Sequence, residues 1–289
     1  MDDYRCNSGC ADLNPLVSVI IPSCNSMSGS KNIDRTLRSI SDQAYERIEV
    51  LVVDNFSSDA TYDVCKNYPV RFFRLNGNRS KARNYGIRMM RGDYALFVDS
   101  DHVLAPEIVE ECVEVSSDKH ADCVMVPVTF VSNKKTIINC SQMRNLEFQL
   151  HLGTQTLILF YSRNCLESIS FPESVELGED MIFSSEVLKN NPVVGRIKSA
   201  ICHFEDGSVR NLVSRSWSYG KKFRLTVSEI GPENSTRFIL NISPLNVSKA
   251  MELVRVVPDL STLLCFSFYT IVKHLSFGMS YCISSLKSS

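Results

Sequence analysis

The sequence carries almost no net charge: 31 Lys and Arg against 32 Asp and Glu leave −1 at pH 7. That removes the basic excess on which nucleic-acid binding depends, so no nucleic-acid partner is expected. Zinc-ligand spacing is missing too. Cys6 and Cys10 form the one close cysteine pair, and no second pair or histidine follows at the distance a zinc site needs. The eleven cysteines are odd in number and scattered, several within apolar runs, which is the pattern of reduced, buried thiols. Met1 to Asn14 is polar and acidic and lacks the apolar core of a leader. A cytoplasmic chain is therefore expected, one in which a sequon such as Asn234-Ser235-Thr236 has no glycan to carry. Repeats and low-complexity linkers are absent. The apolar, aromatic stretch from Leu260 to Leu286 falls short of the roughly 20 uncharged residues that cross a bilayer, because Lys273 and His274 interrupt it after thirteen.

What is present is enough apolar material for a large α/β core, with 44% hydrophobic and 22% charged residues. Four runs recur at similar spacing: VSVIIP (17–22), IEVLVVD (48–54), VRFFRL (70–75) and YALFVD (94–99). They are continuous rather than alternating, as strands covered on both faces are. Helical patterns lie between them. Ile33, Leu37 and Ile40 share a stripe, Ser58 is placed to cap the next helix, and SKARNYGIRMM is basic and amphipathic. Strands alternating with helices predict a parallel, doubly wound sheet. Further on, a helix is expected from Pro106 and a strand at DCVMVPV. A helix near 141–151, a strand at 156–161 and a helix over 179–190 should follow, then a helix over 209–225 interrupted by Gly220.

Ligands of such a sheet bind beyond the carboxyl ends of its strands. Three of the four ends are polar: Asn25 follows the first, Asp54 closes the second, and Asp99 and Asp101 follow the fourth. Connection rules bring these ends to one edge, so the three aspartates should converge. Residues i and i+2 of an extended segment point the same way, so Asp99 and Asp101 can face one ligand. A hard divalent cation, Mg²⁺ or Mn²⁺, shared with a diphosphate suits them. A simple turn at Asp99-Ser100 with Asp101 capping the next helix suits the same residues. Taken alone, the stretch leaves both open.

VSVIIPSCN, VLVVDNFSSDAT, RSKARNYGIRMMRGDYALFVDSDHVL and GEDMIF, in that order across residues 17–183, resemble the family 2 glycosyltransferases of GT-A fold. The resemblance implies a metal-dependent, inverting transferase that takes a sugar from a nucleotide-diphosphate donor, UDP by preference. It makes Asp54 the partner of the donor base, with Pro22 and Asn25 shaping the nucleotide pocket. Asp99 lies near the ribose and Asp101 on the metal. Lys81 or Arg83 meets diphosphate charge, Asp180 is the catalytic base, and His203 stands where some members contact the metal or diphosphate. Residue by residue, plainer roles stay open. Asp180 also suits a helix first turn, adjacent Glu179 competes with it, Lys81 and Arg83 suit a solvated helix face, and His102 reads as a surface histidine.

The implied organisation is a tail (1–14), a catalytic domain over 15–205 and a helical extension over 206–289. The catalytic domain divides into a nucleotide-binding half (15–102) and an acceptor half (103–205). Between Val209 and Leu225 there are five basic residues and no acids, a composition that anionic headgroups attract. Leu260 to Leu286 then reads as an interfacial membrane helix first, a packed helix second and a span third. The expected partners are a nucleotide-sugar donor and a lipid-linked or saccharide acceptor, met at the inner face of the cell membrane. Arg215, Lys221 and Lys222 are candidates for an acceptor phosphate. A sugar-1-phosphate nucleotidyltransferase would need a glycine-rich loop after the first strand, where only Gly29 occurs. A non-catalytic scaffold would be expected to have lost an acid that this chain keeps.

Overall fold

The computed structural model describes residues 14–28, 31–132, 139–152, 156–223 and 260–286. The tail up to residue 13, residues 224–225 and the sequon at 234–236 lie outside them. In chain order the elements are β1 (Val17–Ser23), α1 (Ile33–Ser41), β2 (Ile48–Asp54), α2 (Thr61–Cys65), β3 (Val70–Arg74), α3 (Arg79–Met89) and β4 (Tyr94–Phe97). Then come β5 (His102–Leu104), α4 (Ile108–Lys119), β6 (Cys123–Val131), α5 (Cys140–Leu152), β7 (Thr156–Ser162), α6 (Arg163–Leu166), α7 (Glu179–Lys189), β8 (Val194–Arg196) and β9 (Ile201–Phe204). Two helices follow, α8 over residues 209–223 and α9 (Leu260–Leu286).

The strands run β3-β2-β1-β4-β7-β6-β9-β5, with β8 pairing β6 off this path. The first four are parallel to one another, and β7 joins β4 antiparallel. The sheet is buried on both faces, which is why its strands read as unbroken apolar runs. Val17, Val19 and Ile21 of β1 pack with α1, α2 and α4. Ile20, pointing the opposite way, packs with the layer that holds α3 and α7. Helix α3 sits so close to β1 that a Cβ at Gly86 would lie 2.4 Å from Ile20 Cγ2. That close approach brings the amino end of α3 over the strand ends.

Two local expectations fail. The residue preceding α2 is Ala60, while Ser58 instead donates its N–H to Asn25 Oδ1. Gly220 does not interrupt α8; it is buried within continuous helix, where a side chain is not needed.

One carboxylate ties the parallel strands together. Glu49 accepts from Ser18 Oγ, the Arg91 N–H and Arg71 Nη1. Burial alone would raise its pKa, but those three donors outweigh burial and lower it. A depressed native carboxyl contributes stability above its unfolded pKa and loses it as pH falls through the native value. Glu49→Gln is therefore expected to cost about 1–3 kcal/mol at pH 7. In urea titrations its deficit against the wild type should shrink below about pH 4. A deficit that stays constant over that range would show that lost shape, rather than lost charge, is responsible.

Candidate active site

The chain winds outward from β1 to β2 and β3, then returns to β4 on the other side of β1. Such a switch opens a crevice at the carboxyl ends of β1 and β4. The loops there are sewn together. Ser26 N donates to Thr61 Oγ1 at 2.9 Å, and Ser26 Oγ donates to Ser100 Oγ at 2.8 Å. Asn25 N donates to Ser57 Oγ at 2.7 Å. Asn25 holds φ at 45°, a left-handed conformation that asparagine tolerates better than most residues. Asn25 thus shapes the loop, with half-buried Pro22 inside β1 below it.

Asp54 stands opposite Ser23 in the β1–β2 register and is only 1% exposed. Its Oδ2 accepts from Ser57 N at 2.8 Å and its Oδ1 from Ser57 Oγ at 2.5 Å. It therefore anchors the β2 loop from the floor of the crevice, with carboxylate lone pairs still to spare.

Arg83 is the hub of the site. Its Nη2 donates to Asp99 Oδ1 at 3.0 Å and its Nη1 to Glu179 Oε1 at 3.2 Å, while Arg79 reaches the same Glu179 oxygen at 3.3 Å. Burial would raise the Asp99 pKa, but Arg79 and Arg83, with smaller help from His102 and His203, hold it far below the usual carboxylate range. Glu179 behaves the other way. Burial and neighbouring Asp180 push its carboxyl up, against the pull of Arg79 and Arg83. Arg83 is buried while Lys81 is exposed, because residues two apart on a helix face opposite sides. The open choice between them falls to Arg83 for contact with the site acids. Arg79 escaped sequence reading.

The adjacent acids of α7 also separate. Gly178 precedes the helix at φ 78°, and the first turn sends Glu179 inward and Asp180 to solvent. Of the two, Asp180 is the one exposed to solvent.

A third group forms across a β-ladder. His102 and His203 face each other as partners in the β5–β9 pair, with His102 Nε2 3.3 Å from His203 Nδ1. His203 Nε2 lies 3.4 Å from Asp101 Oδ2. His102 is buried, not on the surface as its local sequence suggested, and its Nδ1 accepts from Asp99 N at 3.2 Å. Burial, aided by His203, lowers its pKa to about 4, so the ring is neutral near pH 7. No local signal could reveal a pair 101 residues apart.

Asp101, His102 and His203 offer ligand atoms within 4.8 Å of one another. The Asp101–His203 separation of 3.4 Å is long for a hydrogen bond. It sits close to the roughly 3 Å between neighbouring ligands of an octahedral ion with bonds near 2.1 Å. One carboxylate oxygen and one neutral imidazole suit Mn²⁺, and Mg²⁺ less well. The donor set fits a divalent ion. His203 is held by its surroundings too: Phe130 packs 5.1 Å from its ring, and Arg144 covers Phe130 at 3.7 Å. Arg144 also donates to buried Glu205 at 2.6 Å, as does Arg215 of α8. Arg215 is thus committed to Glu205 and is not free for an acceptor phosphate.

This architecture is the GT-A fold of nucleotide-sugar transferases. It aligns with the crystal structure of residues 1–349 of TarS from S. aureus in complex with UDP at a TM-score of 0.54 and 17% identity, covering 95% of this chain and 92% of that one. It also aligns with the mannosyltransferase PcManGT of Pyrobaculum calidifontis in complex with GDP-Man and Mn²⁺, at 0.57 and 15% identity, covering 95% and 88%. Residues 18–171, more than half of the chain, match the model described as Glycosyl transferase family 2, and the chain belongs to that family. Among curated relatives, the poly(ribitol-phosphate) beta-N-acetylglucosaminyltransferase TarP of Staphylococcus aureus (strain N315) is 26% identical over 235 residues, covering 74% of this chain and 70% of TarP. The minor teichoic acid biosynthesis protein GgaB of Bacillus subtilis (strain 168) is 27% identical over 184 residues, 57% of this chain but 20% of GgaB. The chain spans 20% to 39% of the length of GgaB, of GlyG from Streptococcus pneumoniae and of TarS from Staphylococcus aureus (strain Mu50).

Proposed function

We propose that this chain transfers a sugar from a UDP-sugar to an acceptor hydroxyl with inversion at the anomeric carbon. The observation that carries the reading is the cluster at one sheet edge. Arg79 and Arg83 bracket Asp99 and Glu179 beside the Asp101–His203 pair, and the exposed Asp180 lies next to them. Asp101 and His203 would hold the divalent ion, which when bound supplies positive charge against the departing diphosphate. Arg79, more than half exposed at the rim, adds fixed positive charge for the same purpose. The acceptor oxygen bonds to the anomeric carbon as the carbon–phosphate oxygen bond breaks, and UDP leaves with that electron pair. Asp180 takes the proton from the attacking hydroxyl. Glu179 is withheld from that role by burial and by its two arginines.

The catalytic unit in this reading is 15–205, with a nucleotide half to residue 102 and an acceptor half beyond, and 206–289 is a helical extension. The acceptor is a saccharide or a lipid-linked chain met at the inner face of a membrane, in the cytoplasm. TarP is named for adding N-acetylglucosamine to poly(ribitol phosphate). A phosphate-bearing acceptor of that chemistry suits a site whose rim carries Arg79.

Calorimetric titration with UDP, with and without Mn²⁺, tests the donor and metal together. Mn²⁺-dependent UDP binding is expected in the wild type, weakened at least about tenfold in Asp101→Ala. Binding of GDP without UDP would refute the uridine donor. Binding of neither under any metal condition would refute the transferase reading of the site.

A further inference from the structure

Helix α9 is a single 27-residue helix, about 40 Å long, and its two sides differ sharply. The inner side is locked to the body. Phe266 and Tyr269 pack with Cys140, Met143 and Leu212. Tyr269 donates to Glu147 Oε2 at 3.0 Å, Lys273 pairs with Glu147, and Ser280 Oγ donates to the Trp217 carbonyl at 2.6 Å. The charge that interrupts the apolar run is therefore turned inward and neutralised.

The outer side is a stripe of Leu264, Phe268, Ile271, Leu275, Met279 and Ile283, each 41% to 62% exposed. These are half of the large hydrophobic side chains exposed among the described residues. At about 100° per residue, the first five fall within an arc of about 80°, so they form one straight ridge. The residues exposed beside them are Ser261, Ser267 and Cys282. A continuous apolar ridge of this kind is an interaction surface.

The charge around it says what covers it. The fifteen residues of α8 and the 27 of α9 contain no aspartate or glutamate, in a chain that has 32. They do contain Arg210, Arg215, Lys221, Lys222 and Lys273, of which Arg210 and Lys221 are exposed. Helix α8 lies directly against α9, with Phe223 and Phe277 rings 5.3 Å apart. A helix with an apolar ridge, packed against a helix with exposed cations, neither containing an acid, matches an anionic lipid surface, into which apolar side chains insert beneath negative headgroups. No helix among the described residues is long and apolar enough to cross a membrane, which leaves α9 lying in the interface.

Helix α8 also reaches the elements that carry the active site. Arg215 of α8 holds Glu205, two residues past His203, and Lys222 pairs at 3.1 Å with Glu176, just before α7. We propose that the outer ridge of α9, with the exposed Arg210 and Lys221 of α8, docks the protein on an anionic membrane surface and so presents the acceptor side of the site to a lipid-borne acceptor. The lipid-borne acceptor rests on the function proposed above; the docking itself does not.

Flotation with vesicles of phosphatidylcholine alone, and of phosphatidylcholine mixed with phosphatidylglycerol, tests the docking without assuming any activity. The full chain is expected to float with the mixed vesicles and much less with the neutral ones, and salt should weaken the association. Leu264→Gln/Ile271→Gln/Leu275→Gln should reduce flotation at least about tenfold, since polar amides at three ridge positions remove the apolar surface that would enter the bilayer. Its UDP binding should be unchanged. Lys221→Glu, which leaves the ridge intact, should reduce flotation with the anionic vesicles only. Failure of the wild type to float overturns the proposal, and so does a dimer in solution that hides the ridge and is dispersed by the triple variant. UDP binding measured in the same samples shows separately whether the donor-site reading stands.

Discussion

Asp180→Asn is expected to lower kcat for sugar transfer by about 10²–10⁴ while leaving Mn²⁺-dependent UDP affinity within about twofold. The expectation follows from how α7 begins. Asp180 is exposed in the first turn and Glu179 is buried, so solvent screens the Asp180 charge more than that of Glu179. The structural penalty includes a weakened interaction with the helix amino terminus, about 0.3–1 kcal/mol. Asparagine keeps the shape and lacks the basicity, so the loss should fall on the chemical step. Glu179→Gln is the contrast. It breaks contacts with both Arg79 and Arg83, so it should lower stability and UDP affinity together. Turnover of Asp180→Asn within about threefold of wild type would remove Asp180 as the base. A parallel loss of UDP binding would instead make it a donor contact.

The acidic strand ends were legible because burial on both faces leaves strands as unbroken apolar runs, so a carboxylate at the end of one stands out. Topology rules then suffice to bring Asp54, Asp99 and Asp101 to one edge, where the β1–β2 and β1–β4 registers place the strand ends. The partners of those acids were harder to read. His102 is buried because β5 pairs with β9, which in turn pairs with β6, a contact between distant segments that local sequence does not reveal. Glu179 and Asp180 differ only in which way a first turn throws them, and that depends on Gly178 at φ 78°. Arg215 looked like a surface cation because Glu205 and Arg144, which neutralise and bury it, lie elsewhere in the chain. The ordering of membrane, packed and spanning roles for the last helix missed that one helix can pack and expose at once. Lys273 faces Glu147, so its charge marks the inner side and not a break in the ridge.

The arginine hub leads to the largest expected effect on stability. Arg83→Met keeps an apolar stem but removes the guanidinium that lies 5.2 Å from the Phe171 ring centroid, and it leaves Asp99 and Glu179 without their shared cation. Removing one member of a buried ion pair costs about 3–5 kcal/mol. Two features pull the expectation toward the lower figure. Arg79 already reaches Glu179, and Asp99 keeps 23% of its side chain exposed to water. About 3 kcal/mol is therefore expected in urea titration at pH 7. The sign with pH follows from Asp99, whose native pKa is depressed in the wild type. That depression adds stability above the unfolded pKa and is lost as pH falls through the native value, so the gap between wild type and Arg83→Met should narrow on acidification below about pH 4. Adding Glu179→Gln to Arg83→Met should restore part of the loss, because a buried amide needs no counter-charge, with a coupling energy of about 0.5–3 kcal/mol. UDP binding should not recover, since Asp99 still lacks the guanidinium that fixes it. A loss below about 1 kcal/mol would mean that the pair behaves as a surface ion pair, and the hub would then be an adjustable part of the site rather than its frame.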